Sequence, residues 1–210
     1  MRAAIDNDLL IKGAWYLLLP EMVAAIPANA ADCIVLGAAK FVCIASLEKR
    51  GLAARAEVLN AFIGGLAQIE PSAEELAVAA EIELLAQQRG LSLDVGESQL
   101  LAIGESRAIS VLATGDKRAI RAIEGVMLSR GQDEFWRNKV ICLEQIIRSM
   151  LLQVSPDVVR DRVCQANLAD RAISICFSCS SGGGDVSSWI SGLESYIEDL
   201  RSKAPVVLSA

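Results

Sequence analysis

Five acidic residues stand where apolar runs end and helical patterns begin. Asp6 follows Ala3-Ala4-Ile5, with Asp8 two residues on. Asp94 and Glu97 open a second helical pattern, and Asp116 follows the apolar run Ile109 to Ala113 through Thr114-Gly115. If these carboxylates meet, two of them ~4 Å apart repel by about 4 kcal/mol at an effective dielectric of about 20, and a cation must offset that repulsion. Hard divalent ions such as Mg²⁺ or Mn²⁺ suit the task, because they take a few carboxylates, keep bound waters and polarise a phosphoryl oxygen. The chemistry so described is phosphodiester hydrolysis through acidic residues, with Asp6 and Asp116 at strand ends, Glu97 at a helix start that can face the same edge, and Asp8 and Asp94 close enough in sequence to join.

The same spacings also suit ordinary helix capping. Asp6, Asp8 and Asp116 are placed as helix caps, and Asp94 with Glu97 has the interval of a capping box. One feature is not explained by local stability. The helical pattern after Asp116 begins with Lys117 and Arg118 and continues to Arg121, although cations at a helix N-terminus oppose its dipole. Beside an acidic cleft they make sense as holders of a phosphate backbone. The alternative is that Asp116 and Glu124 merely neutralise them.

The chain contains no histidine, which removes every scheme built on a Ser-His or Cys-His pair. The six cysteines lie mostly in apolar contexts, as expected of buried thiols in a reducing compartment. Only Cys176 and Cys179 have ligand-like spacing, and without histidine a four-ligand zinc site is not expected. The charge of -6 over 210 residues predicts no globally basic surface for nucleic acid. That excess is local: residues 1–128 carry 11 basic and 16 acidic side chains, and without Asp6, Asp8, Asp94, Glu97 and Asp116 this part balances. If the acidity is a metal site, RNA binding without the ion should be weak.

The elements that must position these residues follow from the apolar pattern. Short apolar runs at Arg2–Asp6, Cys33–Leu36, Ile109–Ala113 and Lys139–Leu143 read as strands. Helical patterns fill Leu9–Leu19 (stopped by Pro20), 38–65 with Gly51 between two segments, 73–89 behind a Ser72/Glu75 capping box, 97–107, and from Asp116 to Leu128. Strands alternating with helices predict an α/β fold with a mainly parallel central sheet and helices on both faces. Strand ends then place Asp6 and Asp116 on the edge where such sheets bind ligands.

Beyond this core (1–128), residues 129–179 read as its continuation, with one strand and helices. Residues 180–210 form a Gly-rich hinge and a C-terminal helical extension. Trp136, Trp189 and Tyr196 can serve base stacking or packing, and packing suits a chain so poor in rings. Asp32, Lys40 and Glu48 interrupt the apolar stretches before a membrane span is reached, and the charged N-terminus lacks a secretion signal's apolar region. The expectation is a cytoplasmic protein without a membrane partner.

The order of motifs resembles the PIN domain family of metal-dependent ribonucleases, used by many bacterial toxin-antitoxin nucleases. Ile5-Asp6-Asn7-Asp8-Leu9-Leu10-Ile11 is similar to that family's opening signature. Leu93-Asp94-Val95-Gly96-Glu97 resembles the variant with a Gly-Glu pair in place of the central Asp. Leu112-Ala113-Thr114-Gly115-Asp116 resembles the strand followed by Thr, any residue, and Asp. The resemblance covers residues 2–128 and implies an endoribonuclease with Asp6, Glu97 and Asp116 on Mg²⁺ or Mn²⁺. It also implies an RNA substrate, and a protein inhibitor or partner at the C-terminal region or a homodimer enters as a candidate.

The acid that the family commonly carries on the helix after the second strand is missing from Val35–Phe41, and Glu144 is the candidate substitute. That gap leaves open a catalytically inactive PIN-like module that binds RNA or protein. Asp6 and Asp8 also have the Asp-x-Asp spacing of haloacid dehalogenase-type phosphatases, which want Thr where Leu10 stands. A receiver-like regulator fits less well, since no separate phosphoacceptor Asp ends a middle strand. DNA remains open as a substrate, because the sequence shows no reader of the 2′-OH.

Overall fold

A computed structural model describes residues 1–210. Five short strands, β1 (Ala3–Ile5), β2 (Cys33–Leu36), β3 (Ala67–Ile69), β4 (Val111–Thr114) and β5 (Val140–Cys142), form one sheet in the order β3-β2-β1-β4-β5. Every neighbouring pair is parallel, with Ala4 opposite Ile34 on one side and Leu112 on the other. β1, β2, β4 and β5 are buried along their whole length, which is why they read as continuous apolar runs. The exception is β3. It is a partly exposed edge strand of sequence Ala-Gln-Ile, too short and too polar to have been expected as a strand.

Parallel neighbours need crossovers, and such connections are right-handed as a rule. From β1 the chain runs outward through α1 (Asn7–Tyr16) and α2 (Leu19–Ala24) to β2, then through α3 (Ala39–Lys49) and α4 (Ala53–Ile63) to β3. α1 packs on α3 and α4, so these helices share one face. The chain then reverses direction through α5 (Ala73–Gln88) and α6 (Val95–Ser106) to β4, and through α7 (Lys117–Arg130) and α8 (Asp133–Trp136) to β5. Contacts of α5 with α6 and α7 place this group on the opposite face. The α/β architecture with a parallel, helix-flanked sheet is therefore as expected.

Residues after β5 close the structure. α9 (Leu143–Met150) packs on α2, α10 (Pro156–Gln165) reaches α1, and α11 (Arg171–Cys176) packs on α12 (Val186–Lys203), which touches α7 and α9 across the β5 edge. The last residues extend the sheet: Asn138 and Val140 amides donate to the Val206 and Val207 carbonyls, each at 2.9 Å, and Leu208 bridges to Val140. An edge strand is thereby covered rather than left to pair with another chain. Glu124, 5% exposed, accepts from the amides of Val206 and Val207, so it anchors the tail and does not neutralise the cations at the head of its helix. Trp136 and Trp189 are core residues at 0% and 4% exposure. No helix is long and apolar enough to cross a membrane.

Two local readings are corrected. α1 ends at Leu17, which takes a left-handed conformation (φ 55°), and Pro20 sits in the first turn of α2, where its missing N–H costs nothing. Proline here starts a helix instead of stopping one. Cys33, Cys43, Cys142 and Cys176 are buried free thiols, but Cys164 and Cys179 form a disulfide, their Cα atoms 5.0 Å apart. The turn between α10 and α11 brings these two together, and the closely spaced Cys176 and Cys179 do not act as a pair. Burial pushes the Cys43, Cys142 and Cys176 thiols up to about 12, so none is a ready nucleophile.

Candidate active site

β1 is the point where the chain's direction across the sheet reverses: β2 and β3 lie to one side, β4 and β5 to the other. Helices leaving β1 and β4 pass to opposite faces, and the crevice between the two carboxyl ends is where open α/β sheets bind ligands. Asp6 follows β1 and Asp116 follows β4, so the topology puts both on this crevice.

Asp6 is the N-cap of α1 and is 3% exposed. Its Oδ2 accepts from the Asp8 amide at 3.3 Å and from the Thr114 hydroxyl at 2.9 Å. Thr114 in turn accepts from the Asp116 amide at 3.1 Å. The Thr-Gly-Asp sequence thus has a structural logic, since one buried hydroxyl ties the β4 loop to the β1 carboxylate. Burial, followed by the charges of Asp8 and Asp94, pushes the Asp6 carboxyl up to about 7 against the pull of Thr114.

Glu97 comes from the head of α6. Asp94 and Glu97 form a reciprocal capping box, each accepting the other's amide at 2.8 Å. Glu97 is 6% exposed, and burial, then the charge of Asp6, pushes its carboxyl up to about 8, with Asp94 and Asp116 adding to the repulsion. Asp116 caps α7 through the Arg118 amide at 2.7 Å and is also gripped by the Arg118 guanidinium. Burial opposes its charge, yet those bonds hold it below the usual carboxylate range.

The capping reading is therefore correct for all three principal acids, and it does not exhaust them. A cap uses one carboxylate oxygen. Asp6 Oδ1, Asp94 Oδ2 and Glu97 Oε1 make no hydrogen bond, and neither Asp6 Oδ1 nor Glu97 Oε1 is sealed from solvent. No ammonium or guanidinium forms an ion pair with Asp6, Asp94 or Glu97. As the side chains stand, no three ligand-type groups form a finished metal cage. The free donors are all hard oxygens, which fit Mg²⁺ or Mn²⁺ and not a soft ion.

The remaining candidates lie on the β4–β5 side of the same edge. Asp8 does not join the open oxygens; its Oδ2 is held by Lys12 Nζ at 2.6 Å. Lys12 also reaches Asp170 at 2.8 Å and the Gly115 carbonyl at 3.0 Å. Burial works against its charge, but Asp8 and Asp170 hold the ammonium above the usual lysine range. Glu144 is 1% exposed, so it is neither a surface helix start nor a free ligand, and it pairs with Lys117 at 2.5 Å. Tyr16 is buried beside this group with no partner for its hydroxyl.

Each cation expected to hold phosphate is engaged within the chain: Lys117 with Glu144, Arg118 with Asp116, and Arg121 with Asp199 at 3.7 Å. Tyr196 lies against Lys117, 5.7 Å from the ring centre, and packs partly buried against the core. Arg118 is 74% exposed and Arg121 42%, so these two pairs are open to exchange with solvent ions. Thr114, Lys12 and Asp170 were not singled out from the sequence. Lys12 had one signal, its position four residues after Asp8 on one helix face. Asp170, arriving from α11, had none.

No protein family model, no curated protein and no solved structure matches this chain.

Proposed function

We propose that this chain is a divalent-metal-dependent nuclease acting on phosphodiester bonds, with RNA as substrate and Asp6, Glu97 and Asp116 as the metal-binding acids, Asp94 beside them. The observation that carries the reading is the set of unpaired carboxylate oxygens of Asp6, Asp94 and Glu97, from the heads of two helices, at the reversal point of the sheet, with Asp116 following the neighbouring strand. Buried carboxylates without a cation are expensive, and here no basic side chain offsets Asp6 or Glu97. A bound Mg²⁺ or Mn²⁺ would align the attacking water and stabilise charge developing on the phosphoryl oxygens.

The chain's own contribution starts with Thr114, which orients Asp6. The capping box holds Glu97 at the head of α6, one oxygen committed and one free. Asp6 and Glu97 carry protons near neutral pH, so an ion must displace them. Ion affinity therefore rises with pH through the range from about 7 to about 8. Arg118 and Arg121 sit at the first turns of α7, where a phosphate backbone can compete for them with Asp116 and Asp199.

The test is cleavage of a single-stranded RNA and a matched DNA with Mn²⁺, Mg²⁺ or chelator, alongside a folded Asp6→Asn control. Metal-dependent cleavage lost in the control supports the reading, and intact RNA with both ions removes it. The engagement of Asp116 by Arg118 favours one second reading, an inactive module of the same architecture. Calorimetry with Mn²⁺ separates them, because the inactive module shows no heat that depends on Asp6.

A further inference from the structure

Lys12 is a buried ammonium, its side chain 12% exposed, enclosed by three oxygens from three parts of the chain. Asp8 is one turn back on α1, the Gly115 carbonyl belongs to the loop carrying Asp116, and Asp170 caps α11 through the amides of Ala172 and Ile173. The ammonium donates a hydrogen bond to the Gly115 carbonyl and forms ion pairs with both carboxylates. The Gly115 position admits no side chain, because a Cβ there would collide with the Asp8 carboxylate and lie 3.2 Å from Lys12 Nζ. Two carboxylates and a carbonyl are also the donor set of a hard divalent cation. Next to it, Lys117 fills the corresponding place against Glu144, whose two oxygens have no hydrogen-bond donor other than that ammonium.

We infer that Lys12 is a built-in second cation of the acidic edge, its ammonium occupying an oxygen cage that otherwise takes a divalent ion. Both loops that carry Asp6 and Asp116 are bound to it, through Asp8 and through the Gly115 carbonyl. Lys12 is thus a positioning residue, and it supplies a positive charge that cannot dissociate with product. The site then exchanges one ion, at Asp6, Asp94, Glu97 and Asp116, and not two. Only this last statement rests on the proposed function; the identity of the Lys12 cage stands apart from it.

The experiment counts Ca²⁺ bound to the full chain and to Lys12→Met by equilibrium dialysis. Oxygens 2.6–3.0 Å from the nitrogen need to draw in by only about 0.3–0.4 Å to ligate Ca²⁺ at its usual distances. The expected result is one more Ca²⁺ per chain in Lys12→Met than in the wild type, with that extra ion retained when Asp6→Asn is added. An equal count in a folded Lys12→Met overturns the inference. If the variant is unfolded without metal, millimolar Ca²⁺ should restore its thermal transition while equal ionic strength of NaCl does not; failure of that rescue overturns it as well. A wild type that binds no ion beside a variant that binds one leaves the Lys12 assignment standing and removes the metal-site reading at Asp6.

Discussion

Replacing Asp6 by Asn should stabilise the metal-free protein, which is unusual for a buried polar residue in a hydrogen-bonded position. The carboxyl is raised from 3.8 to about 7, and each pH unit corresponds to about 1.4 kcal/mol. At pH 8 the folded chain therefore gives up roughly 4 kcal/mol in carrying the Asp6 charge, mainly through burial and then through Asp8 and Asp94. Because the folded form holds the proton more tightly than the unfolded form, stability falls as pH rises from about 4 to about 7. Asn keeps the shape, still accepts from Thr114 and loses the charge.

Glu97 feels the Asp6 charge directly and is relieved as well, while the Asp8 amide loses an ionised acceptor. A net gain of about 3 kcal/mol at pH 8 is expected, or roughly 6–12 °C in melting temperature for a chain of this size. At pH 4 the gain should vanish. Thermal melts in chelator at pH 4, 6 and 8 read this, and a repeat with Mn²⁺ should stabilise the wild type by about 2.7 kcal/mol at one hundred times its Kd and the variant hardly at all. Destabilisation by Asp6→Asn at pH 8, or an effect independent of pH, would refute the electrostatic reasoning.

Three further outcomes follow from packing and pairing. Glu144→Gln leaves Lys117 without its carboxylate in a largely buried position and should cost about 3 kcal/mol; the double variant with Lys117→Met should lose less than the two single losses combined, and additivity in denaturant titrations would show that the pair is not coupled. Gly104→Ala places a methyl 2.6 Å from the Trp136 ring in the core, so a loss of about 1–3 kcal/mol is expected, and an unchanged melting temperature would show that the α6–α8 contact is looser than described. Opening the Cys164–Cys179 bridge, which spans 15 residues, with reductant or as Cys179→Ser should lower stability by about 3 kcal/mol, measured as the difference between oxidised and reduced melts.

Much of the local structure was legible because it depends on residues a few positions apart. Ser72 with Glu75 and Asp94 with Glu97 announced helix starts, and both capping boxes are present. Four buried strands announced themselves as uninterrupted apolar runs, since a strand covered on both faces needs no alternation. β3 was missed for the converse reason: an exposed three-residue edge strand has no apolar signature. The placement of Asp6 and Asp116 on one edge was also foreseeable, because a parallel sheet aligns the ends of all its strands.

By itself, then, the sequence determined four of the five strands, the caps, and the placement of Asp6 and Asp116 on one edge of the sheet. Which of those acids stay unpaired was decided only in three dimensions. Asp8 and Asp6 are two residues apart, yet Lys12 and the distant Asp170 close over Asp8 and leave Asp6 without a counter-charge. Glu144 was read as a spare ligand and is consumed by Lys117. Glu124, in the sequence only an alternative neutraliser of the α7 cations, holds the C-terminal tail. Hydrogen bonds within a turn are written in local spacing. Charge compensation in a buried edge depends on which remote segments fold over it, and no spacing along the chain encodes that.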